Sequence, residues 1–324
     1  MHLSRRGLGL AALAAPFAPR LVTAQTVARQ GRILVGFAAG GSNDIIARLL
    51  AERLAGTYAP SLLVENRTGA SGRLAMEAAR AAEPDGGVMV HTPASVVTVQ
   101  PHLTPNDTRF DVFADYAPVS TTASFAYVLA AGPGALGITD FASFLAAARL
   151  GGGLPFGTPG SGTGPHLTGI QLGITTGTEL THVPYRGGAA SMADLVGGQI
   201  PVSINVLAEA LPHAQSGRIR LLAVSSAERL ARLPDVPTLA ELGAPAATRE
   251  DWFGVLLPAR TPAPIVAALN AGIGRALAEP SMRDRMQALE LTPLHETPQA
   301  FAARLRRDFD HVGALVRAGR ITPS

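Results

Sequence analysis

The stretch "RILVGFAAGGSNDIIARLLAERL" (Arg32–Leu54) contains a change of period that decides the fold. Its opening, RILVGF, is a continuous apolar run of strand length. After the loop, Ile45, Ile46, Leu49, Leu50 and Leu54 recur on one side of a 3.6-residue helix. Between the two lie a glycine pair and a Ser-Asn-Asp triplet. Glycine lets backbone approach a ligand closely, and a first helical turn exposes unpaired N–H groups and partial positive charge. An anion fits such a junction. A cap by Ser42 or Asn43, with Asp44 complementing the helix dipole, accounts for the polar triplet but not for Gly40 and Gly41.

The alternation continues outward. SLLVEN (61–66) reads as a strand, GRLAMEAARAA (72–82) as a helix, PDG (84–86) as a turn and VMVHT (88–92) as a third strand. FAYVLAAGP, FASFLAAARLGG, LPFGTP, HLTGIQLGI, LTHVPY, SMADLVGGQ, PVSINVL and IRLLAVSS then alternate strand with helix. Residues 232–250, rich in proline and polar side chains, read as a connection, and WFGVLLP (252–258) resumes a strand. Two helical patterns close the chain, at 262–289 and 298–318. Strands alternating with helices at this spacing predict an α/β fold, each sheet mainly parallel and flanked by helices. One α/β domain interrupted by a second, with the tail returning to the first, fits the pattern; so do two consecutive domains.

Composition narrows the function. The 324 residues are 47% apolar, enough for an ordinary core, with a formal charge of +3. Residues 1–25 carry Arg5, Arg6 and Arg20 and no acid, so the remainder has 27 − 3 = 24 basic against 24 acidic side chains. No basic surface for nucleic acid is implied. The chain has no lysine, which excludes a Schiff base or P-loop lysine, and no cysteine, which excludes disulfides and a lipid-bearing Cys. The charged start, the short apolar stretch Gly7–Phe17 and the small residues Val22-Thr23-Ala24 predict an export signal cleaved near Ala24. Ser4-Arg5-Arg6 matches the start of a twin-arginine signal, so the Sec and twin-arginine routes both stay open. The expected location is the periplasm.

Two further glycine-rich junctions precede helical patterns. In "FGTPGSGTGPHLTG" (156–169) many backbone N–H groups are exposed and Pro165 suits a helix start. In "THVPYRGGAAS" (181–191) Tyr185 and Arg186 precede a glycine pair, and Arg186 could grip a carboxylate in forked geometry if it points inward. No Walker loop, dinucleotide fingerprint, G-x-S-x-G elbow, H-E-x-x-H or Cys/His ligand set occurs. The sequence therefore predicts binding without a catalytic residue, metal or cofactor.

Several stretches taken together resemble the tripartite tricarboxylate transporter receptors, also called Bug receptors. They are FAAGGSNDIIARLLAERL, VENRTGASG, EPDGGVMV, HLTGIQL, HVPYRGGAASMADLVGGQI, LPDVPTLAELG and WFGVLLPARTPAPIVAALN, in order from about residue 31 onward. HVPYRGG followed by ADLVGGQ is the most specific part. The resemblance implies a two-lobed periplasmic binding protein of the type II, Venus-flytrap kind. The chain would cross between lobes near 124–128 and 246–251, giving residues 26–125 plus 248–324 as one lobe and 126–247 as the other. It also implies a small organic acid held by loop N–H groups, hydroxyls and bridging waters, a membrane permease as partner, and a monomer. Matched motif by motif, the first lobe contributes Phe37, Gly40, Gly41, Ser42 and Asp44, with Thr92 and Ser95 from a second loop. The other lobe contributes Ser161, Gly162, Thr163, His166, Tyr185, Gly187 and Asn205. Gly36 and Ala39 stand where the family usually has prolines, which makes the first loop less rigid by composition.

Two other readings fit the same scaffold. An enzyme would use His166 or Asp44 as a general base and would turn over the acid it binds. A sensing module would share the pocket and differ only in its partner.

Overall fold

The computed structural model describes residues 26–319, so the expected export signal lies outside the described residues. The first strands and helices follow the sequence pattern: β1 (Gly31–Val35), α1 (Ser42–Leu54), β2 (Leu62–Asn66), α2 (Arg73–Arg80) and β3 (Val88–Pro93). Two short helices, α3 (Ala94–Thr98) and α4 (Gln100–Leu103), lead into the long strand β4 (Tyr116–Ala131). Then come α5 (Phe141–Ala148), β5 (Leu154–Thr158), α6 (Gly164–Thr176), β6 (Leu180–Pro184), α7 (Gly188–Val196) and β7 (Val202–Val206). α8 (Leu207–Gln215) and β8 (Arg220–Val224) precede the connection to β9 (Glu250–Pro258). The chain closes with α9 (Ala263–Ala278), α10 (Pro280–Ala288), β10 (Thr292–Pro293) and α11 (Pro298–Arg317).

The strands form one curled sheet in the order β2-β1-β3-β9-β4-β7-β5-β6, with β8 and β10 also pairing with β4. The expected parallel pairing holds for β1 with β2 and β3, and for β5 with β6 and β7. β4 and β9 run antiparallel to their neighbours, so the sheet is mixed. β4 joins its two halves: it pairs with β9 as far as Ala126, opposite Glu250, and with β7 and β8 from Tyr127 onward.

Side chains alternate across each half of the sheet. Ile33 and Val35 pack with Leu50, Leu54 and Ile273 on one face, whereas Leu34 faces Met76, Leu256 and Phe301 on the other. Beyond the crossing, Leu129 packs with Phe144 and Phe156, while Val128 and Ala130 meet Leu195 and Leu211. Both faces are covered, as the near-continuous apolar runs imply.

Besides the short elements α3, α4, α8 and β10, which the pattern did not mark, two departures from the sequence reading have a clear cause. The single helix expected over 262–289 is two, because Glu279 is extended (φ −64°, ψ 131°) and Pro280 has no N–H to continue the ladder. The first half of β4 carries a proline and a Ser/Thr run that hide a strand. Its register shifts beside Pro118, where a proline is tolerated, and the buried hydroxyls find partners. Ser120 Oγ bonds the Glu296 carbonyl at 3.0 Å and Thr122 Oγ1 the Phe253 carbonyl at 3.3 Å.

Candidate functional site

The loops that leave the carboxyl ends of β1, β3, β5 and β7 face one another across the crossing strands, the usual place for a ligand in open α/β sheets. They enclose a cavity of about 40 Å³, room for two or three waters. Phe37, Gly41, Asn43, Pro93 and Ser95 line it from one side, and Pro159, Thr163, Pro165, Gly188, Val206 and Glu209 from the other. Phe125, Tyr127 and Phe253 from the crossing strands complete the wall. The two sets of loops touch across the cavity, Glu209 reaching Ser42 and Gly187 lying against Ala38.

The β1–α1 junction explains its glycine pair. Gly40 sits at φ +84°, the left-handed region that favours glycine. Its N–H donates to Asp44 Oδ2 at 2.9 Å; Arg48 Nε donates to the same oxygen at 2.8 Å and Asn66 Nδ2 to Oδ1 at 2.8 Å. Burial opposes the Asp44 charge, but these donors outweigh it and hold its pKa below the ordinary value. Asp44 thus braces the loop and lies outside the cavity wall.

Gly41 serves close approach. A Cβ there would lie 3.2 Å from Glu209 Oε1. Glu209, in the first turn of α8, reaches back to the start of α1, where Oε1 accepts from the Ser42 N–H at 2.9 Å and from the Ser42 hydroxyl at 2.6 Å. A Cβ at Gly188 would overlap Oε2. The anion place foreseen at this junction is filled by the chain's own carboxylate. Burial pushes the Glu209 pKa up, and the two bonds from Ser42 act against that.

On the β3 side, Asn43 Nδ2 donates to the His91 carbonyl at 3.1 Å. Ser95 is in the cavity wall, whereas Thr92 turns its hydroxyl toward the Pro93 carbonyl at 3.4 Å. In the β5–α6 loop, Thr163 lines the cavity and donates to the Gly160 carbonyl at 2.7 Å. The Gly162 N–H donates to His166 Nδ1 at 3.1 Å, and Ser161 is outside the wall. His166 stacks on His182 with ring centroids 3.8 Å apart. Burial lowers the His166 pKa to about 4, and burial with the neighbouring His166 lowers that of His182 to about 3. His166 is thus a neutral loop support, and neither it nor Asp44 is placed as a base against the cavity.

Tyr185 donates to Asp194 Oδ2 at 2.8 Å and borders a separate outer groove with Arg186, which is exposed. The Gly187 N–H donates to the Pro159 carbonyl at 3.0 Å, and a Cβ on Gly187 would sit 3.2 Å from the Ala38 nitrogen of the opposite loop. Asn205 is buried beneath, bonding the Gly188 carbonyl through Nδ2 at 3.3 Å. Of the expected residues, Phe37, Gly41, Ser95 and Thr163 form wall. Gly40, Ser42, Asp44, Gly162, Gly187 and Asn205 shape it from behind.

Sequence reasoning missed Asn43 as a wall residue, the aromatic trio Phe125, Tyr127 and Phe253, and Glu209. The aromatic residues read as ordinary core. Glu209 lies in a helix that the apolar pattern did not mark; an acid just past the strand end PVSI was its one available signal.

Comparison with known proteins bears on this geometry. The profile described as "Tripartite tricarboxylate transporter family receptor" matches residues 46–320. BugT of Bordetella pertussis is 30% identical over 96% of this chain and 94% of its own. An R. palustris protein solved with adipate superposes with a TM-score of 0.86 at 29% identity, over 91% of this chain and 99% of its own. MatC of Rhodopseudomonas palustris, solved with bound malate, gives 0.83 at 26% identity, over 89% and 99%. The two-lobed periplasmic binding-protein fold expected from the sequence is the fold these structures share with this chain.

Proposed function

The chain belongs to the tripartite tricarboxylate transporter family of receptors, and from that premise we propose that it captures a small organic carboxylate between two lobes for uptake by a membrane permease. The observation that carries this reading is the meeting of Ser95, Thr163 and Gly188, each at the start of a helix, around one cavity, the start of α1 beside Gly41 being engaged by Glu209. N–H groups and partial positive charge converge there without a lysine, and the aromatic wall would exclude water from a bound acid. Relatives solved with adipate and malate favour an acid of a few carbons.

The lobes are residues 26–125 with 248–324, and residues 126–247. The switch of β4 partners between Ala126 and Tyr127 supports that division and makes the crossing strands the hinge. Closure follows from contacts the acid makes only when both loop sets reach it. The expected set from Phe37 to Asn205 acts in two groups, the wall residues touching the acid and the others holding the loops. Ser161, His166 and Tyr185 belong to the second group.

We further propose that the receptor is exported through a signal in residues 1–25, cut near Ala24, and acts in the periplasm as a monomer. Among the described residues no helix is long and apolar enough to cross a membrane. Unfolding and refolding the mature protein strips any carried acid. Thermal shifts against a panel of organic acids then test the reading. The expected result is a clear shift with one acid class, the acid being recovered unchanged; no shift with any acid, or consumption of the acid, would overturn it.

A further inference from the structure

We propose that Glu209 is a built-in clasp, a carboxylate carried by one half of the chain that caps α1 of the other half and holds the two together before any ligand arrives. The inference stands on the division of the sheet at β4. It goes beyond the receptor reading, because it concerns the empty protein and not the acid that the cavity takes.

α1 begins with Gly41 at its N-cap and has no side-chain cap of its own. An uncapped first turn leaves N–H groups without an acceptor. Here the acceptor comes from 167 residues away: Glu209 Oε1 takes the Ser42 N–H at 2.9 Å and the Ser42 hydroxyl at 2.6 Å. Ser42 follows β1, in the β2-β1-β3-β9 half, and Glu209 follows β7, in the β7-β5-β6 half. Both bonds therefore run from one half to the other. A carboxylate at a helix N-terminus is favoured by the helix dipole as well. Ser42 is fully buried, so neither of its donors has water as an alternative while the halves meet.

The surroundings are shaped for that carboxylate from both halves. A Cβ on Gly41 would lie 3.2 Å from Oε1, and one on Gly188, at the start of α7, would overlap Oε2. A side chain at Gly188 would push the carboxylate out of place, and one at Gly41 would crowd it. Rotation of one half about the crossing strands, where β4 changes partners between Ala126 and Tyr127, would carry α8 away from α1. Both bonds would break together, and the first turn of α1 would lose its cap. Hinged binding proteins close around a ligand that bridges their halves. This chain supplies one anionic bridge itself, so the empty protein is biased toward the closed arrangement and an acid enters when the clasp opens.

The test reads the distance between the halves in refolded, ligand-free mature protein. The chain has no cysteine, so Thr68→Cys and Arg186→Cys, both exposed and bordering the outer groove from opposite halves, can carry a pair of spin labels. With Glu209 in place the distance distribution should be short and narrow. Glu209→Ala should move it to longer distances, the open-to-closed ratio rising roughly 10- to 100-fold, the scale of one hydrogen bond to a charged group. Acetate, the excised carboxylate returned as a free ion, should restore the short distance in Glu209→Ala. It should do nothing in Glu209→Leu, whose side chain fills the place without an acceptor. Unfolding curves confirm that each variant is folded. Equal distances with and without Glu209 would overturn the proposal, as would failure of acetate to shorten the distance in Glu209→Ala or equal shortening in Glu209→Leu. None of these readings needs an acid that binds the cavity, so failure of the receptor reading would show separately, as the absence of a thermal shift with any acid.

Discussion

Tyr127 and Asp251 stand on the two strands that cross the middle of the sheet and share a buried hydrogen bond, the Tyr127 hydroxyl donating to Oδ2. Asp251 Oδ1 accepts the Trp252 N–H at 2.8 Å, and the Arg249 guanidinium lies 3.7 Å from Oδ2. Burial raises the Asp251 pKa, with Arg249 and Tyr127 acting against it. The pair also touches the cavity machinery: a Cβ on Gly164, in the first turn of α6, would overlap the Tyr127 hydroxyl and come within 2.8 Å of Asp251 Oδ2. One contact therefore couples the crossing strands to a helix start that faces the cavity.

Tyr127→Phe removes that donor and leaves a buried carboxylate short of a partner. The expected cost is about 1–3 kcal/mol of unfolding free energy by urea titration. Unchanged stability would mean that Asp251 does not depend on Tyr127.

Asp44 gives a prediction with a defined pH window. Its folded pKa lies below the ordinary 3.8, so its contribution is present above that value and is lost as pH falls through the lowered one. Asp44→Asn should cost about 1.5–3 kcal/mol at neutral pH, the scale of hydrogen bonds to a charged group. The gap to wild type should close in strongly acidic solution. A gap that does not vary with pH would contradict the bracing role.

His166 shifts in a different window. A folded pKa of about 4 against an ordinary 6.5 means that its neutral form is favoured in the fold. Stability is present above pH 6.5 and falls as pH drops toward 4, since protonating Nδ1 would break the bond from Gly162. The urea midpoint of wild type should therefore decrease between neutral pH and pH 5, and that of His166→Gln should decrease less. Parallel curves would remove His166 from the account.

Gly188→Ala tests the cradle around Glu209. The new methyl would overlap Oε2 and crowd Asn205 Oδ1, so one of them must move. Overpacking of this kind costs about 1–3 kcal/mol, and acid binding should weaken with it. A variant as stable and as tightly binding as wild type would show that the Glu209 carboxylate is not held there.

The α/β alternation and most of the strands were legible because both halves of the sheet are covered on two faces, which writes apolar runs such as Ile33–Val35 in β1, Val88–Val90 in β3 and Val255–Leu257 in β9. The first half of β4 was hidden because its buried side chains are hydroxyls, satisfied by the Glu296 and Phe253 carbonyls that lie far away in sequence. The glycine junctions lie around the cavity. What fills it was not legible: Ser42 and Glu209 are 167 residues apart, and no local pattern connects a helix start to an acid in another helix. Local chemistry thus located the donors, and the fold decided which of them are already taken.

Calorimetric titration of refolded, ligand-free protein with the acid that gives the largest thermal shift tests the central claim most directly. The account predicts saturable binding of one acid per chain, recovery of the acid unchanged, and a negative heat-capacity change as Phe37, Phe125 and Phe253 close over it. No binding of any small carboxylate, or steady conversion of the acid, would contradict it.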